Sequence, residues 1–200
     1  MVCFLKLSYT FAVITKMDTR KKILDTASRL FYHQGYNATG INQIIEEAGV
    51  AKASLYEHFK SKEDLLIAYL EFMFDQTIGR FRHVASTKAG AKEKISAIFE
   101  FLSLNANSKG FHGCQFLNIA GEIPVENLRV YDIIRKQKNG LRALFAEILK
   151  SDSMGDDELQ NAGSLADGIY LLFDGAIMSC KLYEDSWPVV AAHKTALTLL

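Results

Sequence analysis

Proline is almost missing from this 200-residue chain, which has only Pro124 and Pro188. So little proline leaves long stretches open to helix and disfavours a turn-dense all-β fold. The three cysteines, Cys3, Cys114 and Cys180, are odd in number, widely spaced and without a C-x-x-C pair. That argues against a disulfide framework or a structural zinc and for a reducing, cytoplasmic setting. Net charge is also lacking, since 23 Lys+Arg offset 23 Asp+Glu. A polybasic, histone-like binder is thereby excluded, while a localised basic face is not. No apolar run reaches the roughly 20 residues of a membrane-spanning helix, so no membrane partner is expected. Neither an alternating strand pattern nor an internal repeat occurs. What remains is ordinary for a globular protein: 49% apolar and 23% charged residues, enough to bury a core in one or two small domains.

Residues 1–16, MVCFLKLSYTFAVITK, stand apart from the rest. The stretch is too short to span a membrane and has no basic region ahead of its apolar run, unlike a signal peptide. Met17 directly precedes a well-formed helix, so residues 1–16 are expected to be a non-native or disordered extension.

Residues 17–65 read as a three-helix unit. Asp18 and Thr19 offer N-cap oxygens, and Ile23, Ala27, Leu30 and Phe31 follow as one apolar stripe. Gly35 suits a left-handed C′ position, with Tyr36 placed for the contact that closes such a cap. Thr39 can cap a second helix that turns Ile41, Ile44, Ile45 and Ala48 inward. Gly49 sits where that helix must turn sharply into a third, Lys52 to Phe59, anchored by Leu55 and Phe59. Ser61 to Asp64 reads as a capping box opening a fourth helix. Two short helices joined by a glycine-containing turn and braced by a third make a helix-turn-helix. The outward residues of the third helix include Lys52, Ser54, Tyr56, Glu57 and His58, with Lys60 and Lys62 beyond its end. Lysines attract phosphate, and hydroxyl and imidazole groups can donate to phosphate oxygens or base edges.

Residues 20–66, RKKILDTASRLFYHQGYNATGINQIIEEAGVAKASLYEHFKSKEDLL, resemble the DNA-binding domain of the TetR family of bacterial transcriptional regulators. The likeness runs through the domain without gaps, and LYEHFKSKEDLL is its most diagnostic part. It implies phosphate contacts from Thr39, Tyr56, His58 and Lys62, and base or backbone contacts from Lys52, Ala53 and Ser54. Three positions depart from the family pattern. Ala51 stands where many relatives have a capping Ser or Thr, and Ala53 replaces a frequent glycine. Glu57 takes the place of an aromatic or neutral residue; it would repel phosphate but could accept from a cytosine amino group.

Residues 66–200 read as a helical regulatory body for ligand binding and dimerisation. The fourth helix is expected to run to about Val84, turning Leu65, Leu66, Tyr69, Phe72 and Met73 inward, and to act as a mechanical link. Further helices are expected through Ile95–Leu102, from about Cys114 to Ile123, from Pro124 to Leu149, from about Glu158 to Tyr183, and from Pro188 onward. No catalytic constellation emerges. His112 and Cys114 lack a third ligand or base, and the glycines around them follow no strand and precede no Gly-Lys-Ser/Thr. The chain is therefore read as all-α, not an enzyme, and in need of no cofactor.

Within Glu158–Tyr183, Leu165, Ile169, Leu172, Phe173 and Ala176 form a core face. A second face carries Ser164, Gly168, Gly175 and Ser179, small enough for another helix to approach closely. The resemblance implies a symmetric dimer through the last two helices, placing two recognition helices one DNA turn apart on a double-stranded operator. It also implies a small apolar or aromatic effector, for which Phe99, Phe101, Phe116, Tyr131, Tyr170 and Phe173 are candidate walls, with Cys114, Asn118 and His112 as polar groups. The expected function is a repressor released from a palindromic operator by that effector. The alternatives for the body are a protein-interaction module and a redox or electrophile sensor built on Cys114.

Overall fold

The computed structural model describes the backbone of residues 2–151 and 156–200, and the side chains of residues 18–151 and 162–200. Its described residues form helices and no strand, as the scarcity of proline predicts. The helices are α1 Val2–Gln34, α2 Ile41–Ala48, α3 Lys52–His58, α4 Lys62–Ser86, α5 Ala91–Ala106, α6 Gln115–Ala120, α7 Leu128–Lys150, α8 Asp156–Tyr183 and α9 Trp187–Thr198. The chain divides into two compact units, Met1–Phe72 and Met73–Leu200.

In the first unit the stripe Ile23, Ala27, Leu30 and Phe31 is buried, as its spacing predicts. Around it close Ile44 of α2, Leu55 of α3, and Leu65, Leu66, Tyr69 and Leu70 of α4. The Phe31 ring packs at 5.7 Å on Tyr69 and at 5.4 Å on Tyr36, the contact expected just past Gly35, whose φ is 91°. Two capping expectations fail here. Asp18 and Thr19 lie inside α1, and Asp18 pairs with Lys22 at 3.0 Å, because no breaker precedes them to end the helix. Residues 2–16, read from the sequence as an extension apart from the rest, are continuous with α1, and their side chains lie outside the described residues. Thr39 does not cap α2 either. Gly40 holds that position, while the Thr39 hydroxyl donates to the Gly35 carbonyl at 2.6 Å, satisfying an oxygen left over at the end of α1.

Ser61 caps α4 as read from the sequence: the Asp64 amide donates to its Oγ at 3.0 Å, and that hydroxyl donates to Asp64 Oδ2 at 2.9 Å. Ser61→Ala should therefore destabilise the first unit by about 1 kcal/mol. Urea denaturation of the wild type and the variant checks this; equal midpoints would mean water replaces the cap without cost.

In the second unit α7 packs against α8, α8 against α9, and α5 against α7, α8 and α9. The core holds Ile95, Ile98, Phe99 and Leu102 of α5 and Leu141, Leu144, Phe145, Ile148 and Leu149 of α7, with Ile169, Phe173 and Ala176 of α8. Ile78, Phe81 and Ala85 from the C-terminal half of α4 join them. Phe72 is exposed instead of inward, since the buried stripe of α4 runs through Tyr69, Ile78 and Phe81. α7 begins at Leu128 and not at Pro124: Asn127 caps it, its side chain accepting from the Val130 amide at 3.2 Å. The cap was legible as an Asn before an apolar-periodic run, but the proline drew the boundary too early.

Candidate nucleic-acid interface

α2 and α3 are joined through Gly49, whose φ of 63° and ψ of 40° place it in the left-handed region that glycine enters without a Cβ clash. Leu55 and Phe59 are buried, so the rest of α3 is turned outward. Lys52, Ala53, Tyr56 and Glu57 are exposed, and Ser54 and His58 half-buried. Tyr56, at 39% exposure, is a large ring displayed on a helix of seven residues. Lys60, just past the end of α3, donates back to the Tyr56 carbonyl at 3.4 Å. The Lys62 ammonium lies 4.1 Å from the centroid of the Tyr36 ring, so that its position is set by a cation–π contact. Burial, then the nearby Glu63 carboxylate, pushes the Tyr36 hydroxyl above the usual tyrosine range.

Neither α2 nor α3 has a side-chain cap at its N-terminus, because Gly40 and Ala51 occupy the N-cap positions. The first amides of both helices therefore donate to no side-chain cap and carry partial positive charge. An anion such as phosphate suits that arrangement. Thr39 is only 1% exposed with its hydroxyl turned to Gly35, so it braces the turn beneath α2 and is not displayed for a phosphate. Gln34 adds to the brace, donating to Thr39 Oγ1 at 3.0 Å and to Gln43 Oε1 at 2.8 Å. Gln43 in turn donates to Glu47 at 2.9 Å, and Glu47 pairs with Arg29. The sequence reading missed this chain because glutamines carry no charge pattern to follow.

Residues 23–69 match the family model for bacterial regulatory proteins of the tetR family. Over 179 residues the chain is 31% identical to the uncharacterized HTH-type transcriptional regulator YxaF of Bacillus subtilis, covering 86% of this chain and 90% of that one. This chain belongs to the TetR family. It is also 34% identical, over 80 residues, to the HTH-type transcriptional repressor KstR2 of Mycolicibacterium smegmatis, covering 40% of this chain and 39% of that one. A crystal structure of a TetR-family transcriptional regulator from Streptomyces coelicolor superposes with a TM-score of 0.78 at 27% identity, covering 92% of each chain. TetR-family proteins are DNA-binding transcriptional regulators and not enzymes.

In this TetR-family chain the candidate effector walls fall into separate groups. Phe99 and Phe173 are wholly buried in the core of the second unit, edge to face at 5.5 Å, and Phe116 is buried too. Phe101 is partly buried and meets Phe81 edge-on at 6.0 Å. Tyr131 donates to the Ala120 carbonyl at 2.9 Å, tying α7 to the end of α6. Asn118 accepts from Lys181 at 2.7 Å and donates to the His112 carbonyl at 2.8 Å, which fixes the loop before α6.

Cys114 and Tyr170 do come together, through two residues the sequence reading passed over. Lys138 of α7 donates to Asp174 Oδ1 at 2.5 Å and to Cys114 Sγ at 3.3 Å, while Tyr170 donates to Asp174 Oδ2 at 3.2 Å. Lys138 and Asp174 are only 12% and 15% exposed. Burial, and after it the Asp174 carboxylate, pushes the Tyr170 hydroxyl far above its ordinary range, so it remains a donor. Farther along the same helices Arg142 holds Asp167 in a fork, with two contacts of 2.8 Å. The signal was present in the sequence as basic residues four apart on α7 and acidic residues seven apart on α8.

The small-residue face of α8 lies open. Ser164 and Gly175 are exposed and Gly168 and Ser179 half-buried, and a Cβ added at Gly168 or Gly175 would meet nothing within 4 Å. On the same stripe Leu171 is 66% and Leu182 77% exposed, and Trp187 and Val190 of α9 are exposed beside them in the chain. Among the described residues there is no group of His, Cys, Asp or Glu that could hold a metal ion, and no helix long and apolar enough to cross a membrane.

Proposed function

We propose that this chain is a homodimeric repressor that occupies a palindromic operator and leaves it when a small apolar or aromatic molecule binds its helical body. The observation that carries the DNA-reading part is the outward face of α3, with Lys52, Ser54, Tyr56 and Glu57 beside helix starts that no side chain caps. Tyr56, His58 and Lys62 act as phosphate contacts and Lys52, Ala53 and Ser54 meet bases or backbone, with Glu57 set to accept from a cytosine. Thr39 serves by holding the turn. The repressor sign draws support from the likeness to KstR2, a transcriptional repressor.

Dimerisation draws support from the open face of α8. Leu171, exposed between Gly168 and Gly175, and exposed Leu182 farther along the stripe make an apolar strip that a second copy would cover. A two-fold dimer would suit two successive major grooves, about 34–36 Å apart on the operator. Residues 17–65 then form the reader and 66–200 the regulatory body, with α4 contributing side chains to both units. An effector that prefers the DNA-free spacing shifts the population off the operator; a tenfold loss of affinity needs about 1.4 kcal/mol of differential binding.

Fluorescence anisotropy with labelled DNA from upstream of the chain's own gene, titrated near physiological salt against excess unrelated duplex, tests the reading. Saturable binding that survives the competitor, with two subunits per site, is the expected result. Lys62→Ala should weaken all duplexes alike and reduce the salt slope by about one. Ser54→Ala should instead change the ranking of operator variants by about 1–3 kcal/mol per base position. Binding that disappears with competitor would leave only sequence-independent attraction and remove the operator reading.

A further inference from the structure

A glutamine on a DNA-reading unit is expected to meet adenine, whose edge pairs with both the donor and the acceptor of a side-chain amide. Gln34 of α1 and Gln43 of α2 have no donor to spare for a base. Each amide nitrogen carries two hydrogens, and both nitrogens commit both of theirs inside the first unit. Gln34 Nε2 donates to Thr39 Oγ1 at 3.0 Å and to Gln43 Oε1 at 2.8 Å. Gln43 Nε2 donates back to Gln34 Oε1 at 3.3 Å and onward to Glu47 Oε1 at 2.9 Å. The two amides thus form a reciprocal pair, and each end of the pair is tied to a further group. At one end the Thr39 hydroxyl donates to the Gly35 carbonyl, where α1 stops. At the other, Arg29 of α1 pairs with Glu47. Arg29, and after it Gln43, hold the Glu47 carboxyl below the usual range, so it stays an acceptor.

Gln43 lies in the first turn of α2 and Glu47 in the last, on one face of the helix. α2 is therefore pinned to α1 near both of its ends. Only Gly49, Val50 and Ala51 separate it from α3, so a tilt of α2 on α1 is carried through this short connection to Lys52, Ala53 and Ser54. We propose that the Gln34–Gln43 amide pair is a positioning element of the DNA reader, which fixes α2 and with it the start of α3 before DNA arrives and makes no DNA contact of its own. Gln34 is exposed and Gln43 half-buried, and hydrogen bonds open to water contribute little to global stability. Their effect is on freedom of orientation. A reader held in its docking geometry loses less entropy when it enters the groove. That gain applies to sequence-specific docking, where the start of α3 must meet particular base edges, and not to loose attraction between lysines and phosphates.

This rests on the operator-reading function proposed above, so the test separates the two. The full-length protein and its Gln34→Leu, Gln43→Leu and doubly substituted variants are titrated onto the operator, and onto an unrelated duplex at several salt concentrations. Each single change should weaken operator binding about tenfold, and the double variant should bind about as well as either single one, because removing one amide already dissolves the pair. Affinity for the unrelated duplex and the salt slope should not change, and melting temperatures should stay within about 2 °C of the wild type. Hydrogen exchange of the free proteins supplies a readout that needs no DNA: the amides of α2 should exchange faster in each variant, and those of α7 should not. Unchanged operator affinity overturns the proposal. So does a loss confined to Gln43→Leu, or losses that multiply in the double variant, since either would make the glutamines separate DNA contacts. A parallel fall in melting temperature and in affinity for both duplexes would reduce the pair to a structural tie and overturn it as well. If the wild type itself binds no specific DNA, the operator reading fails, while unchanged exchange in α2 would still sink the amide pair on its own.

Discussion

Phe173→Ala should lower the stability of the helical body by about 3–5 kcal/mol. The ring is wholly buried and meets three others, Phe81 at 5.5 Å, Phe99 at 5.5 Å and Phe145 at 5.7 Å, each steeply tilted to it. Edge-to-face pairs add about 0.5–1.5 kcal/mol each to simple burial, and the cavity left by alanine is lined by rings that cannot collapse into it. A domain has about 5–15 kcal/mol in total, so the variant should be partly unfolded at physiological temperature. Phe173→Leu keeps most of the apolar volume and should cost far less. Urea denaturation followed by circular dichroism reads both. A loss under about 1 kcal/mol for alanine would mean that the ring lines a space already open, the role that the sequence reading gave it.

Gly175→Arg should have the opposite profile, with little harm to the folded protomer and a large loss of function. A Cβ added at this position meets nothing within 4 Å inside one protomer. Leaving glycine in a helix interior also gains about 0.5–1 kcal/mol of helix propensity. If two copies pair through α8, however, arginine must fit between closely packed backbones, and a second arginine faces it across the two-fold axis. Sedimentation or light scattering should find monomer where the wild type is dimer. Operator affinity should fall at least a hundredfold, about 2.8 kcal/mol at roughly 1.4 per decade. A dimer that survives this change with unaltered affinity would move the interface away from α8.

Much of this was legible before any coordinates. The stripe from Ile23 to Phe31, the left-handed Gly49, the Ser61 cap and the core face of α8 all follow from period and capping chemistry, which are local. The outward face of α3 was legible for the same reason: Leu55 and Phe59 fix which side is in. Thr39 was misassigned because two adjacent residues could cap α2, and the choice was made by an unsatisfied carbonyl at Gly35. The candidate effector walls were gathered by residue type alone. Whether Phe99 is core and Phe101 half-buried depends on which helices meet, and that is long-range information. Lys138 escaped notice because a lysine on an amphipathic helix normally faces water, and only α8 supplies the carboxylate that lets it turn inward.

The paired charges on α7 and α8 have a mechanical consequence. Lys138 with Asp174 and Arg142 with Asp167 form two rungs between antiparallel helices, one largely buried and one at the surface. Sliding α8 by one helical turn, about 5.4 Å, would carry both carboxylates out of reach of their cations at once and strand the inner one in a poorly hydrated place. Translation along the helix axis is thus the costly coordinate. Pivoting about the inner rung is the cheap one, since it keeps that pair and asks only the outer, solvated fork to stretch. Motion transmitted through this body should therefore be angular, with the Lys138–Asp174 pair as its fulcrum.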